Sequence, residues 1–206
     1  MNKIGFKEIE DILEDKLDLN NDIIYDKYFK DETILDEIKN ITFDDCIFEN
    51  ITYNKNINNC IFTNCKFINC DLTNVEFSNC GLHYITITNS KLLKSTIDSS
   101  LLKNSIIEES LCNFLNISNT ELKNSNIKNC SMKETRLFLN KLDKVSFQNN
   151  NLTNLEVIDT SLNNIDLSSN KITGIRIDLK DIKNATISIN QMYDLINLLD
   201  VRKFLD

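Results

Sequence analysis

The chain has 206 residues, a net charge of −8, 41% hydrophobic and 26% charged residues, no proline, no tryptophan and only three glycines. The hydrophobic content argues against intrinsic disorder and suits one folded domain with a sizeable core. The runs between charges are too short for a membrane-spanning helix, and the acidic start does not resemble a signal peptide. We therefore expect a cytoplasmic protein without membrane contact, whose seven cysteines stay reduced.

The N-terminal segment, residues 1–40, holds most of the negative charge, with 12 acidic and 6 basic side chains. An amphipathic helix over about 6–17 is predicted by the spacing of Phe6, Ile9, Leu13 and Leu17. Its acidic side chains make a candidate acidic patch, formed by Glu8, Glu10, Asp11, Glu14, Asp15 and Asp18. Downstream, an irregular first coil is predicted from Ile23, Tyr28, Phe29 and Ile38.

A repeat of five residues organises the chain from about residue 41 onward. Starting at Phe62, every fifth position to Ile187 is apolar, which makes 26 centres if Cys112 is included. A small residue usually stands two positions before each centre, and Asn stands two positions after 13 of them. Because Asn tolerates a positive φ better than other residues with a side chain, this pattern predicts a turn in every repeat.

This period fits neither a helix nor a continuous strand, because the centres would spiral around the helix or alternate between the two faces of the strand. If the chain turns once per repeat, four repeats close a square coil of twenty residues, and every centre points inward. The register also runs upstream through Phe43, Phe48 and Tyr53, and it loses one residue before Ile57. We therefore predict a solenoid of about seven coils.

The repeat resembles the pentapeptide-repeat family, whose motif is a small residue, Asp or Asn, Leu or Phe, a polar residue and a turn residue. Residues 70–74 read Cys-Asp-Leu-Thr-Asn, and residues 165–169 read Ile-Asp-Leu-Ser-Ser. The resemblance implies an all-β fold, a right-handed quadrilateral β-helix. We expect an N-terminal helical cap and irregular coil over 1–40, the solenoid over 41–189 and a C-terminal helix and cap over 190–206.

The C-terminal segment is predicted to close the last coil. Asn190 is placed to cap a helix to about residue 199, with one apolar face formed by Met192, Leu195, Ile196 and Leu199. Four further apolar residues are left for a homodimer contact, namely Leu198, Val201, Phe204 and Leu205.

No catalytic, cofactor or metal site is predicted. All seven cysteines fall on inward positions, on different walls from their sequence neighbours, which favours core packing over metal binding. His83 follows the centre Leu82 and is expected on the surface, without a Ser or Cys partner for nucleophilic attack. The pair Glu108 and Glu109 is expected in solvent.

Outward apolar residues indicate where a partner contacts the rod. Phe138 and Ile158 each follow a centre and lie twenty residues apart, with Leu139 at the next corner and Leu179 two coils further on. This set is either a docking patch or the surface over which the C-terminal segment folds back. A second set winds around several walls and is interpreted as incidental, with partner contact as the alternative: Leu101, Ile106, Leu111 and Phe114.

The first functional hypothesis is a non-enzymatic protein-interaction module with an unidentified protein partner. The second comes from the resemblance, because relatives include quinolone-resistance proteins that bind DNA gyrase or topoisomerase IV as DNA-like rods. The repeat body carries only −1, however, and projecting loops are absent from its register, so mimicry would depend on both the acidic N-terminal segment and the dimer. A third hypothesis, a small hydrolase or metal-binding protein, requires a bound metal or a convergent polar pocket. Direct nucleic-acid binding is not expected, since no basic patch is present.

Overall fold

A computed structural model describes residues 17–19 and 22–196. The chain is an all-β parallel solenoid of about eight turns, with one strand of the longest sheet in each turn. Among the described residues, no helix is both long and apolar enough to cross a membrane.

Each coil has four faces, and equivalent strands of successive coils pair in parallel. The first face contains the strands Ile23–Tyr25, Thr42–Asp44, Ile61–Thr63, Gly81–His83, Leu101–Lys103, Glu121–Lys123 and Lys141–Asp143. The second contains Tyr28–Lys30, Ile47–Glu49, Lys66–Ile68, Thr86–Thr88, Ile106–Glu108, Asn126–Lys128 and Ser146–Gln148. The third face is a series of isolated bridges from Thr33 to Lys171. The fourth contains Ile38–Lys39, Ile57–Asn58, Glu76–Ser78, Thr96–Asp98, Asn116–Ser118, Arg136–Phe138, Glu156–Ile158 and Arg176–Ile177.

The predicted inward and outward positions are confirmed along the solenoid. In the strand Thr96–Asp98, for example, the centre Ile97 is buried, whereas its two neighbours are partly exposed. At most corners, the residue two positions after the centre has a positive φ, such as 55° at Asn69 and 49° at Asn119. Asn is frequent there because its short polar side chain tolerates this backbone better than other side chains do.

The first two coils are shorter than the later ones. Ile38 pairs with Ile57 and Phe43 with Phe62, a step of nineteen residues, whereas Leu82 pairs with Leu102 after twenty. Tyr53 occupies the short corner, where its hydroxyl donates to the Asn56 carbonyl at 2.8 Å and accepts from the Ile38 amide at 3.1 Å. Burial raises the pKa of this hydroxyl to about 12.

The first coil differs from its prediction. Parallel pairing begins at Ile23, upstream of the expected boundary at residue 41, and the coil is regular. Ile24 is the inward centre, whereas Ile23 points outward and is 64% exposed. A one-residue shift in register exchanges the inner and outer faces of a strand. Because each of the first two coils lacks one residue at a corner, the register of the later coils does not identify the inward residue of this strand.

The C-terminal end also differs in detail. A short helix, Leu179–Ile182, follows the last strand, and a 3₁₀ turn, Ile189–Gln191, leads into the helix Met192–Leu195. The buried residue of this turn is Gln191, whose amide group donates to the carbonyls of Leu167 and Asn170. Met192, predicted to face the core, is 59% exposed, and Ser188 rather than Asn190 precedes the 3₁₀ turn. Gln191 takes the inward place because its side chain continues the buried polar column that ends at Asn170.

The predicted dimer-contact residues lie outside the described residues: Leu198, Val201, Phe204 and Leu205. The same holds for most of the predicted acidic patch, namely Glu8, Glu10, Asp11, Glu14 and Asp15, whereas Asp18 is described and exposed.

Candidate docking surface on the fourth face

Three residues of the predicted patch lie together on the fourth face. Phe138 and Ile158 are paired neighbours in adjacent coils, and Leu139 stands at the adjoining corner with 47% of its surface exposed. Leu179 begins the short helix Leu179–Ile182 and is 53% exposed. Leu179 therefore flanks this surface rather than completing it.

Two bulky residues at the corners of this face adopt a backbone conformation that disfavours them. Phe114 has φ 61° and is 47% exposed, and Leu139 has φ 54°. Most residues lose about 1–2 kcal/mol in this left-handed region. Neither residue regains this energy by burial, so both corners present a bulky apolar side chain to solvent at a cost in stability.

Two arginines that the hydrophobic pattern does not predict complete the surface. Arg136 Nε lies 3.3 Å from Glu156 Oε2, and Arg176 Nε lies 3.7 Å from Glu156 Oε1. Arg136 also lies over the ring of Phe138, with Cζ 5.2 Å from the ring centre, which allows a cation–π contact. The sequence carried a signal for this ladder, because the chain has only three arginines and two of them stand forty residues apart in one column.

A cleft of about 680 Å³ adjoins the arginine ladder, and its lining includes Ile158, Gly174, Arg176 and Tyr193. Gly174 has φ 74°, and a Cβ there would lie only 2.3 Å from Asn154 Oδ1. A side chain at Gly174 would therefore displace Asn154, which explains the glycine at this corner. We call the following residues, with this cleft, the fourth-face surface: Phe114, Arg136, Phe138, Leu139, Glu156, Ile158 and Arg176.

The cysteines belong to the core, as predicted. All seven are buried and unpaired, and burial raises the pKa of Cys70 and of Cys80 to about 11. Within the described residues, no three His, Cys, Asp or Glu side chains are grouped closely enough to bind a metal ion.

His83 lies on the first face and lines a shallow groove of about 540 Å³ with Ile61 and Gly81. Partial burial, together with the nearby Lys103 charge, lowers the pKa of His83. A neutral imidazole is therefore favoured, and no nucleophile is placed beside it among its described hydrogen bonds.

The ends of the rod carry two further surfaces. Residues 22–50 contain nine acidic and three basic side chains, a net charge of −6, so the predicted acidity continues into the first coils. At the other end, an apolar groove of about 460 Å³ is lined mainly by Leu179, Ile182, Met192 and Leu195.

Part of the repeat matches a known protein family, and solved structures resemble the chain. Residues 60–137 match the family model described as "Pentapeptide repeat region". No curated protein matches the chain. Among solved structures, full-length QnrB1, a plasmid-mediated fluoroquinolone resistance protein, is 17% identical with a TM-score of 0.32, covering 87% of this chain and all of that one. HetL from the cyanobacterium Nostoc, a protein involved in heterocyst differentiation regulation, is 11% identical with a TM-score of 0.27, covering 80% and 86%.

Proposed function

The chain belongs to the pentapeptide-repeat family, and we propose that it is a non-enzymatic protein-interaction module that acts in the cytoplasm. The fourth-face surface carries this proposal. It combines exposed aromatic and aliphatic side chains with arginines, the composition that is enriched in the central part of protein interfaces.

The test is affinity capture from the native cytosol. The double variant Phe138→Ser and Ile158→Ser should lose a partner that the unaltered chain retains. Ile106→Ser is the matched control, because Ile106 is also an outward, partly exposed isoleucine, but it lies on the second face. A partner that persists in the double variant and is lost in the control would contradict this assignment.

A second candidate function is binding of DNA gyrase or topoisomerase IV as a DNA-like rod. The net charge of −6 over residues 22–50 favours it, because a DNA-binding channel attracts a concentrated negative surface. Gyrase supercoiling assays with and without a fluoroquinolone test this function. An effect that disappears in the variant Asp26→Asn, Asp31→Asn and Asp45→Asn would support it, whereas no protection and no inhibition at micromolar protein would exclude it.

We also propose a homodimer contact at the C-terminal end, as the sequence analysis predicts. The apolar groove beside Met192 and Leu195 supports it, because an exposed apolar groove is stabilised by a covering surface. A chain ending at Ile189 should be monomeric or poorly soluble in light scattering. An unchanged dimer would move the interface elsewhere.

A further inference from the structure

We propose that the fourth-face surface pairs with a second copy of this chain, face to face and with the two rods antiparallel. This inference deepens the proposed function, on which it rests, by naming the partner of the surface. It differs from the C-terminal contact because here the sides of the rods meet.

The register of the fourth face sets the geometry of the pair. Four successive strands lie in register along the rod, so that Asn116, Arg136, Glu156 and Arg176 form one column. The twofold axis lies between the two facing copies, parallel to the strands and midway between Arg136 and Glu156. This axis reverses the order of the strands and places the column of one copy opposite the same column of the other. Each strand of one copy then lies opposite a defined strand of the other.

The two central strands become complementary under this axis. Arg136 faces the partner's Glu156, and Glu156 faces the partner's Arg136. In the neighbouring column, Phe138 faces the partner's Ile158, an aromatic–aliphatic contact that occurs twice. If the axis passed through Glu156 instead, like charges would meet. Glu156 would face the partner's Glu156, and Arg136 would face the partner's Arg176.

The outer strands are compatible with the same axis. Arg176 faces the partner's Asn116, so no like charges meet at these strands.

The corners of the face match in shape. Phe114 precedes the strand Asn116–Ser118, and Gly174 precedes the strand Arg176–Ile177, so the same axis places Phe114 opposite the partner's Gly174. The cleft of about 680 Å³ beside Gly174 provides space for a phenyl ring. An exposed, strained aromatic residue therefore meets a cavity at the one described corner that carries glycine.

The pair is expected to be weak. The four strands span three coil steps of about 4.8 Å, so the buried area falls below the ~1,200 Å² that separates weak from stable interfaces. Dissociation constants of weak contacts lie above about 1 μM, and the measurement must therefore cover about 1–300 μM protein.

A charge-reversal exchange tests the proposal by sedimentation velocity on the full chain. Arg136→Glu leaves two carboxylates at the contact, and Glu156→Arg leaves two guanidiniums, so each variant alone should lose at least a hundredfold in the association through this face, which adds to any C-terminal dimer. Mixed in equal amounts, the two variants should form a heterodimer, because each carboxylate then meets a guanidinium of the other copy. Both variants break the same ion pair within the chain, so only a contact between copies explains recovery on mixing.

The control is Lys123→Glu, which reverses a charge in the equivalent Lys123–Asp143 pair on the first face and should leave association unchanged. Circular dichroism confirms that every variant is folded. An unaltered chain that shows no association beyond a C-terminal dimer up to about 300 μM, single variants that associate as strongly as the unaltered chain, or a mixture that associates no more strongly than its two components would each overturn the proposal. A dimer that forms while capture of other proteins is unaffected by Phe138→Ser and Ile158→Ser would refute the proposed function for other partners and leave the self-association standing.

Discussion

The coils before and after residue 80 share one backbone, but they differ in the side chains at their corners and in their cores. Before residue 80, the described corners with a positive φ carry Asn or Asp, from Asp26 to Asn79. After it, several corners carry residues that this conformation disfavours: Tyr84, Lys94, Glu109, Phe114, Glu134, Leu139 and Lys144. The early core contains stacked phenylalanines and most of the thiols, and the later core is mostly aliphatic with buried hydroxyls and amides.

This difference separates what the fold requires from what it leaves open. The coil needs an apolar centre and a small inward residue, and both halves supply them. The corners tolerate other residues at a cost of about 1–2 kcal/mol each. That cost is concentrated in the later coils, which also hold the fourth-face surface, as expected if strain is retained where the molecule makes contact.

The largest expected effect is the loss of an aromatic ring from the early core. Phe48 contacts four other rings, with centres 4.8 to 6.3 Å away, among them Phe67 at 4.8 Å and Phe29 at 5.2 Å. Phe48→Ala should lower the free energy of unfolding by about 4 kcal/mol, measured by urea denaturation. Leu122→Ala in the later core should cost about 3 kcal/mol, because no ring contacts are lost. Equal losses would remove the energetic distinction between the halves.

The second prediction concerns the thiols that distinguish the early core. At pH 8, a thiol reagent should label the native chain at least about a hundredfold more slowly than the urea-unfolded chain, because labelling requires local opening and thiolate formation. The raised pKa of Cys70 and Cys80 acts in the same direction. Rapid labelling of most of the seven thiols in the native chain would show that these side chains do not face the core.

The later core depends instead on hydrogen bonds between coils. Asn150 Oδ1 accepts from the Cys130 amide, and Asn150 Nδ2 donates to the Ile127 carbonyl, both at 2.8 Å. Asn150→Ala should cost about 2 kcal/mol, because two buried backbone groups lose their partners. Gln148→Ala, an exposed change in the same coil, should stay within about 0.5 kcal/mol. A similar small effect at Asn150 would mean that the buried amides add nothing to the apolar core.

The sequence predicted the solenoid because its apolar centres repeat every five residues without exception from Phe62 to Ile187, counting Cys112, and Asn stands at half of the turn positions. It predicted Phe138 and Ile158 as neighbours for the same reason, since twenty residues return the chain to one face. It missed Arg136, Arg176 and the place of Phe114, because charged and corner residues follow no hydrophobic period. It misjudged Ile23 and Met192, where short corners and the terminal turn break the repeat and three-dimensional packing determines which side chain is buried.

The smallest predicted effect tests whether the later corners are strained. Leu139 has φ 54°, a conformation that Asn tolerates better than Leu does, and about half of its surface is exposed. Leu139→Asn should therefore raise the free energy of unfolding by about 1 kcal/mol in urea denaturation, although it removes an apolar residue. The reverse change at an ordinary corner, Asn129→Leu, should lower it by a similar amount, because Asn129 has φ 55° and is exposed. If Leu139→Asn gains stability and also weakens partner capture, the leucine is retained for contact and not for folding. If it destabilises the chain, Leu139 stabilises the native fold itself, and the contrast between early and later corners reflects packing rather than function.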